Sequence, residues 1–364
     1  MNKAEEHKLH AGPKRPSMKR RNENHDYRSE RFYLITMAVQ GRCPVLGQLV
    51  GNAEAPEGSP QAPCISLSPL GLAVAREWNG ISTIYPQVAV IAQQVMPDHF
   101  HGILYVRSHT NFHLGQVVKG FKLGCNRHLR SLLTAMPSQP TGKDDALLRL
   151  AALAPSPDRA TLWEQGYNDR ILFQYDTLDR WKAYLRDNPR RLAIRRAHPD
   201  YFRVRFGILL ANQSYAAIGN RFLLSHPDKL QVQLSRRLTE ADIERQKAFF
   251  LQKARAGTVL VSPAISKGEQ AVMRAALDAG LPIIFLSPWG FNSFSKPGHQ
   301  YFEACARGRL LILAPWEHHN ERIPLTRAMC LALNAMAMQI CSLPSPPYPH
   351  SSTALSPYPH SPAP

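Results

Sequence analysis

An antiparallel α+β domain followed by a parallel-sheet α/β domain is the fold class that this chain of 364 residues predicts. Three observations carry that expectation. The length exceeds what one hydrophobic core usually serves. Two apolar stretches flank the short break Met96-Pro97-Asp98, a spacing that makes neighbouring antiparallel strands. From about residue 215, strand-like and helix-like segments alternate with short joins, the pattern of a parallel sheet covered on both faces.

Residues 1–30 mix charge, proline and glycine without an apolar stripe and read as a disordered basic arm. Phe32 to Val39, rich in β-branched and aromatic residues, is the first strand. Residues 51–63 carry Gly, Pro, Ala and Glu and form an exposed excursion. Leu70 to Trp78 is a helix, and the segment 80–86 leads into a strand at Val88 to Val95. The next strand begins at His99. Asn111 is placed to cap a helix bearing Leu114, Val117, Val118 and Phe121 on one side. Lys119, Lys122, Arg127 and Arg130 add positive charge to that helix. Segments 137–143 and 154–159 are loops with a short helix between them. A further helix starts at Asp176, a suitable N-cap, with Asp179 in its positive first turn and Leu178, Trp181 and Leu185 as its buried stripe. Pro189 marks its end, because proline disfavours helix at the residue before it. Arg190, Arg191, Arg195, Arg196, Arg203 and Arg205 then form a dense candidate for contact with phosphates. The first domain so defined spans residues 31–206.

The second domain spans residues 215–341. Strands are expected at Lys229 to Ser235, Thr258 to Ser262, Leu281 to Ser287 and Arg309 to Ala314, with helices at Glu240 to Ala254, Glu269 to Ala279, Tyr301 to Ala306 and Leu325 to Ile340. Residues 342–364 are dominated by Ser and Pro and repeat Pro-Tyr-Pro-His at 347–350 and 357–360, so a disordered tail is expected.

Lysine plus arginine number 44 against 27 acidic residues, a net charge of +17, which favours phosphate-rich partners through counterion release and steering. The six cysteines, at 43, 64, 125, 305, 330 and 341, contain no Cys-x-x-Cys pair and no zinc-like cluster, and fit a reducing cytoplasmic, nucleoid-associated setting. No secretion signal opens the chain, and no stretch approaches the roughly 18 to 20 continuous apolar residues of a membrane span.

The chemistry concentrates at His99-Phe100-His101. Alternate residues of a strand share a face, so this pair can hold one divalent metal. In its context Gln94-Val95-Met96-Pro97-Asp98-His99-Phe100-His101-Gly102-Ile103-Leu104-Tyr105-Val106, the pattern resembles the HUH signature of single-tyrosine nucleic-acid-processing enzymes. The resemblance is to the single-tyrosine (Y1) insertion-sequence transposases and their relatives associated with repetitive extragenic palindromes (REP), and covers roughly residues 31–200. Trp163 to Arg170 resembles the segment that precedes the tyrosine helix in that family. Tyr184 followed by Asn188, one helical turn apart, resembles the family's nucleophile and the nearby residue that completes its metal shell. Tyr175 and Tyr201 lack that spacing and are weaker alternatives.

The resemblance implies an HUH, ferredoxin-like fold, Mg²⁺ or Mn²⁺ held by His99, His101 and Asn188, and Tyr184 as nucleophile on single-stranded or hairpin DNA. It implies a 5'-phosphotyrosine, a free 3'-hydroxyl and rejoining by reversal. Lys119, Lys122, Arg127, Arg170, Arg190, Arg191, Arg195 and Arg196 are the candidate nucleic-acid contacts. Both monomers and homodimers occur in such a family. Asp169 and Arg170 are candidates for orienting a nucleotide or for a structural ion pair.

The second domain resembles the Rossmann-like superfamily that includes the DNA-processing protein of natural transformation and lysine-decarboxylase-like nucleotide enzymes. The segments that carry this are Ser235-Arg236-Arg237, Ser262 to Glu269 and Leu286-Ser287-Pro288-Trp289-Gly290. Ligands of such sheets gather at the carboxyl ends of strands, where helix starts offer N–H groups to phosphates. Arg236, Ser266, Lys267 and Gly268 are therefore candidates for binding phosphate or a nucleotide, although no complete Gly-x-Gly-x-x-Gly or Walker motif is present. Two other functions compete with DNA cleavage: a catalytically silent DNA-binding or regulatory module, and a nucleotide sensor coupled to a DNA-binding domain.

Overall fold

The strand Arg31–Ala38 is apolar on both faces: Tyr33, Ile35 and Met37 are buried on one side, Phe32 and Leu34 on the other. A sheet built on it must therefore be covered twice. The computed structural model describes residues 22, 25–136, 145–172, 176–319 and 324–343. They divide into two compact units, one ending at Ile194 and the next beginning at Arg195. The expected disordered tail falls outside the described residues from position 344 on, as does most of the expected basic arm.

The first unit contains β1 (Arg31–Ala38), β2 (Gly47–Val50), β3 (Cys64–Leu67), α1 (Pro69–Asn79), a single helical turn at Ile81–Ile84, β4 (Val88–Met96), β5 (His99–Val106), α2 (Leu114–Thr134), α3 (Asp145–Ala151), β6 (Asn168–Leu172) and α4 (Asp176–Ala197). Four strands form an antiparallel sheet in the order β4-β5-β1-β6, and β2 pairs with β3 across the 51–63 excursion. On one face Tyr33, Ile35, Phe100 and Leu104 pack with Trp78 of α1 and Phe121 of α2. On the other, Phe32, Leu34, Ile103 and Leu172 pack with Leu178, Trp181, Tyr184 and Leu185 of α4.

Three local expectations need correction. The cap of α2 is His113, whose Nδ1 accepts from Gly115 N at 2.8 Å, and not Asn111. Residues 25–30 do not behave as part of an arm: Tyr27 is buried, its hydroxyl donates to Asp169 at 2.7 Å, and Thr110 N donates to Arg28 O at 3.0 Å. Helix α4 does not stop at Pro189 but runs on to Ala197. An internal proline costs roughly 3 kcal/mol. Leu185 before it and Ala193 and Ile194 after it are all buried, and at about 1.5–3 kcal/mol for each large side chain such burial offsets the loss.

The second unit contains β7 (Arg205–Leu210), β8 (Gln213–Gly219), β9 (Lys229–Gln231), α5 (Glu240–Arg255), β10 (Val259–Ser262), α6 (Lys267–Asp278), β11 (Ile283–Leu286), α7 (His299–Ala306), β12 (Leu310–Ala314) and α8 (Arg327–Cys341). Its six-stranded sheet has the order β7-β8-β12-β11-β10-β9. Strands β9 to β12 are parallel, whereas β8 runs antiparallel to β12 and β7 antiparallel to β8. The sheet is thus mixed rather than purely parallel, and its β7–β8 hairpin takes residues 205–206 from the expected first domain. Leu333, Ala337 and Ile340 of α8 cover one face together with Val261, Ile284 and Leu313. On the opposite face Phe285 stacks on Tyr301 of α7, ring centres 6.0 Å apart.

Candidate functional site

Alternation along β5 separates core from chemistry. Phe100 is wholly buried against Trp78, Phe121 and Trp163. His99 and His101 project from the other face, their ring centres 4.9 Å apart and their planes at 86°. Gly102 lets the strand sit against Trp78, because a Cβ there would meet the indole at 2.2 Å.

Each imidazole is held through Nδ1. His99 Nδ1 lies 2.6 Å from Asp98 Oδ1, and His101 Nδ1 lies 2.8 Å from Thr36 Oγ1. Thr36 stands directly opposite His101 in the β1–β5 register. The Asp98 carboxylate can only accept, so His99 donates Nδ1–H to it and keeps its lone pair on Nε2. The Thr36 hydroxyl can donate or accept, and its bond to His101 Nδ1 holds the ring in place. Burial, then the nearby charges of His99 and Arg42, lower the His101 pKa to about 3, so its ring is neutral at physiological pH. Burial raises the Asp98 carboxyl, but its hydrogen bond and charge interaction with His99, aided by Arg42, outweigh this and leave it below the usual carboxylate range.

Helix α4 supplies the third side. The Tyr184 ring is edge-on to His101, centres 6.3 Å apart at 71°. Trp181 supports it at 5.5 Å, and the Arg191 guanidinium carbon lies 5.6 Å from its ring centre. Asn188 follows one turn later on the same helix. It is buried, and its Nδ2 has no hydrogen-bond partner. A half-turn of the amide exchanges Nδ2 for Oδ1 and puts a carbonyl oxygen in that position. Two imidazole nitrogens and one amide oxygen fit a divalent ion of borderline hardness. Among the described residues no group of three or more His, Cys, Asp or Glu side chains is placed to hold a metal, so the fit depends on Asn188 joining the histidines.

The other residues singled out from the sequence are scattered. Arg170 packs over Trp181 at 4.9 Å, on the histidine face of the sheet, whereas Asp169 lies on the opposite face and accepts from Tyr27. Lys122 donates to the backbone carbonyls of Glu164, at 2.9 Å, and Gly166, which ties it to the chain before β6. Lys119 and Arg127 are exposed on α2. Arg190 pairs with Asp187 at 2.6 Å, and Arg191 lies 3.6 Å from the same carboxylate. Tyr175 lies outside the described residues. In the last turn of α4, which crosses the boundary between the units, Arg195 is half-buried and Arg196 exposed, and in the second unit Tyr201 stacks on His198 at 5.8 Å. Thr36, Asp98 and Arg42 enter the site from the structure; an acid directly before the His-x-His is a local signal for Asp98, while Thr36 has none, because its place depends on register.

At the start of α6 the structure places a carboxylate where a phosphate was considered. Glu269 accepts from Leu234 N at 3.1 Å, Ile265 N at 2.7 Å and Ser266 N at 3.1 Å. Ser266 Oγ in return accepts from Glu269 N, completing a capping box. Gly268 packs against Leu234, Lys267 is exposed, and Arg236 reaches Cys330 Sγ at 3.9 Å.

No family model matches the chain. An uncharacterised protein of Haemophilus influenzae is 24% identical over 173 residues, which are 46% of this chain and 84% of that protein. Among solved structures, a REP-associated tyrosine transposase bound to a REP hairpin is 10% identical with a TM-score of 0.29, over 46% of this chain and 72% of the other. DNA processing protein A from Helicobacter pylori, described for its single-stranded DNA binding mode, is 22% identical with a TM-score of 0.30, over 38% of this chain and 65% of its own. Likenesses at these scores are partial and carry no conclusion about chemistry.

Proposed function

We propose that the chain cuts and rejoins single-stranded DNA, with Tyr184 as the nucleophile. The observation that carries the reading is the edge-on approach of Tyr184 to His101, whose ring partners His99 at 4.9 Å on the same face of β5. The net charge of +17 suits a phosphate-rich substrate. His99 and His101, through Nε2, and Asn188, through its amide oxygen after a half-turn of the amide, would be the ligands for Mg²⁺ or Mn²⁺. A divalent ion bound there would supply Lewis-acid polarisation of a nonbridging phosphate oxygen.

In the reaction the Tyr184 oxygen forms a bond to phosphorus as the bond from phosphorus to the 3'-oxygen breaks. The phenol loses its proton, and the departing 3'-oxygen gains one. Arg191, close to the Tyr184 ring, favours the negative charge that develops on the phenol oxygen. The products are a 5'-phosphotyrosine and a 3'-hydroxyl, and attack by another 3'-hydroxyl reverses the step without an outside energy source. Nucleotide sensing at Ser266 to Gly268 is less favoured, since Glu269 holds the backbone donors that a phosphate would need.

The test is formation of a covalent adduct with end-labelled single-stranded DNA of randomised sequence, read on a denaturing gel with Mn²⁺ or EDTA. An adduct that needs the metal and is lost in Tyr184→Phe supports the proposal. Tight DNA binding with no adduct in any condition sinks it and favours the silent module.

A further inference from the structure

The turn after β1 holds two successive residues in the left-handed region, Gly41 at φ 58° and Arg42 at φ 55°. Glycine adopts that conformation freely, whereas the Cβ of an arginine is crowded there. Such strain persists only where the surroundings enforce it. Here Val39 N donates to Asp98 O at 2.9 Å, Gln40 N to Leu162 O at 2.8 Å and Leu46 N to Pro97 O at 3.0 Å. Leu153 occupies the space beside Gly41, 2.8 Å from where a Cβ would stand. The turn is thereby strapped to Pro97 and Asp98, immediately before His99.

The strap brings the Arg42 guanidinium to 3.7 Å from Asp98 Oδ2, while Oδ1 of the same carboxylate holds His99. Arg42 nonetheless remains 59% exposed. A separation beyond hydrogen-bond length in an exposed pair returns little energy. It does not repay a left-handed arginine, and a lysine, or no cation at all, would leave the His99–Asp98 bond in place. The planar guanidinium fork, by contrast, matches phosphate oxygens.

We propose that Arg42 is a phosphate-binding residue of this site, its guanidinium taking a nonbridging oxygen of a phosphate in the single strand that lies at the His99–His101 pair. The assignment rests on the reading of that pair given above. On DNA binding, Arg42 turns from Asp98 to the strand, and Asp98 keeps its bond to His99.

The experiment compares the full-length wild type with Arg42→Asn and Arg42→Lys. Asparagine tolerates the left-handed region better than arginine, so Arg42→Asn should unfold at an equal or higher urea midpoint. Its adduct with labelled randomised single-stranded DNA in Mn²⁺ should form roughly tenfold more slowly, as for loss of a charged hydrogen bond, and Arg42→Lys should fall between. Mn²⁺ affinity by calorimetry should be unchanged. Affinity for the same DNA in EDTA should lose about 0.7 from its log–log salt slope, one phosphate contact on a single strand. An Arg42→Asn variant with wild-type adduct rate and salt slope overturns the proposal, as does one whose loss is matched by weaker Mn²⁺ binding. If the wild type forms no adduct, the cleavage reading fails and the salt slope alone decides the role of Arg42.

Discussion

Thr36 Oγ1 stands 2.8 Å from Nδ1 of His101, across the central strand pair of the first sheet. The hydroxyl therefore anchors the His101 ring through Nδ1. Replacing Thr36 by Val keeps the shape and removes that hydrogen bond. Mn²⁺ affinity by calorimetry should drop about 10–100-fold, the usual effect of losing an outer-shell partner, and Thr36→Ser should restore most of it. Equal affinities for all three proteins would show that Thr36 does not orient the ring.

His101 gives the fold a defined acid sensitivity. Its folded pKa, near 3, is below the ordinary value of 6.5. Between these values the unfolded chain binds a proton that the folded chain does not, so stability falls as pH drops from 6.5 towards 3. The slope from this group alone approaches about 1.4 kcal/mol per pH unit. Urea titrations in EDTA at several pH values should show the slope, and His101→Asn should reduce it by that amount. An unchanged slope in the variant would refute a neutral buried His101.

Pro189 withholds an N–H from the Leu185 carbonyl in the middle of α4. Pro189→Ala supplies it and should raise stability by about 1 kcal/mol or more. Leu185→Ala, in contrast, empties a buried position against Phe32 and Ile103 and should cost about 2–5 kcal/mol. Chemical denaturation reads both. A destabilised Pro189→Ala would mean that the proline shapes the helix that presents Tyr184 and Asn188.

Glu269→Ala strands three backbone donors at the start of α6. Loss of charged hydrogen bonds at a buried site should cost about 3 kcal/mol or more. Inorganic phosphate should then stabilise the variant and leave the wild type unaffected, which a thermal melt with and without phosphate would reveal. Phosphate stabilisation of the wild type would instead point to a second anion site.

The imidazole pair and the apolar faces around it are legible in the sequence because strand periodicity is local: His99 and His101 share a parity with Ile103, and Phe100 shares one with Leu104. The turn at Pro97 and Asp98 is likewise a short-range signal. Thr36 and Arg42 are not legible, since their relation to β5 depends on pairing with β1 and on a strapped turn. The β7–β8 hairpin is hidden for another reason. Its two-residue turn is Ala211-Asn212, both at positive φ (45° and 64°), where Gly or Asn is the usual mark at each position. The extension of α4 past Pro189 reflects burial of Ala193 and Ile194 overriding a local breaker. At α6 the capping sequence Ser266-Lys267-Gly268-Glu269 is visible, but that Glu269 also reaches the N–H of Leu234, 35 residues away in the chain, is a fact of tertiary structure.

The central strand pair makes assembly of the site and correct folding one event. A slip of β5 by a single residue against β1 would turn both imidazoles into the layer filled by Trp78 and Phe121 and bring Phe100 out towards Tyr184. No misaligned sheet could keep its aromatic packing and still hold the two imidazoles beside Tyr184. On the proposed metal-binding reading, natively packed molecules are also the ones that would take up the ion, and metal titration of a refolding mixture would count them directly.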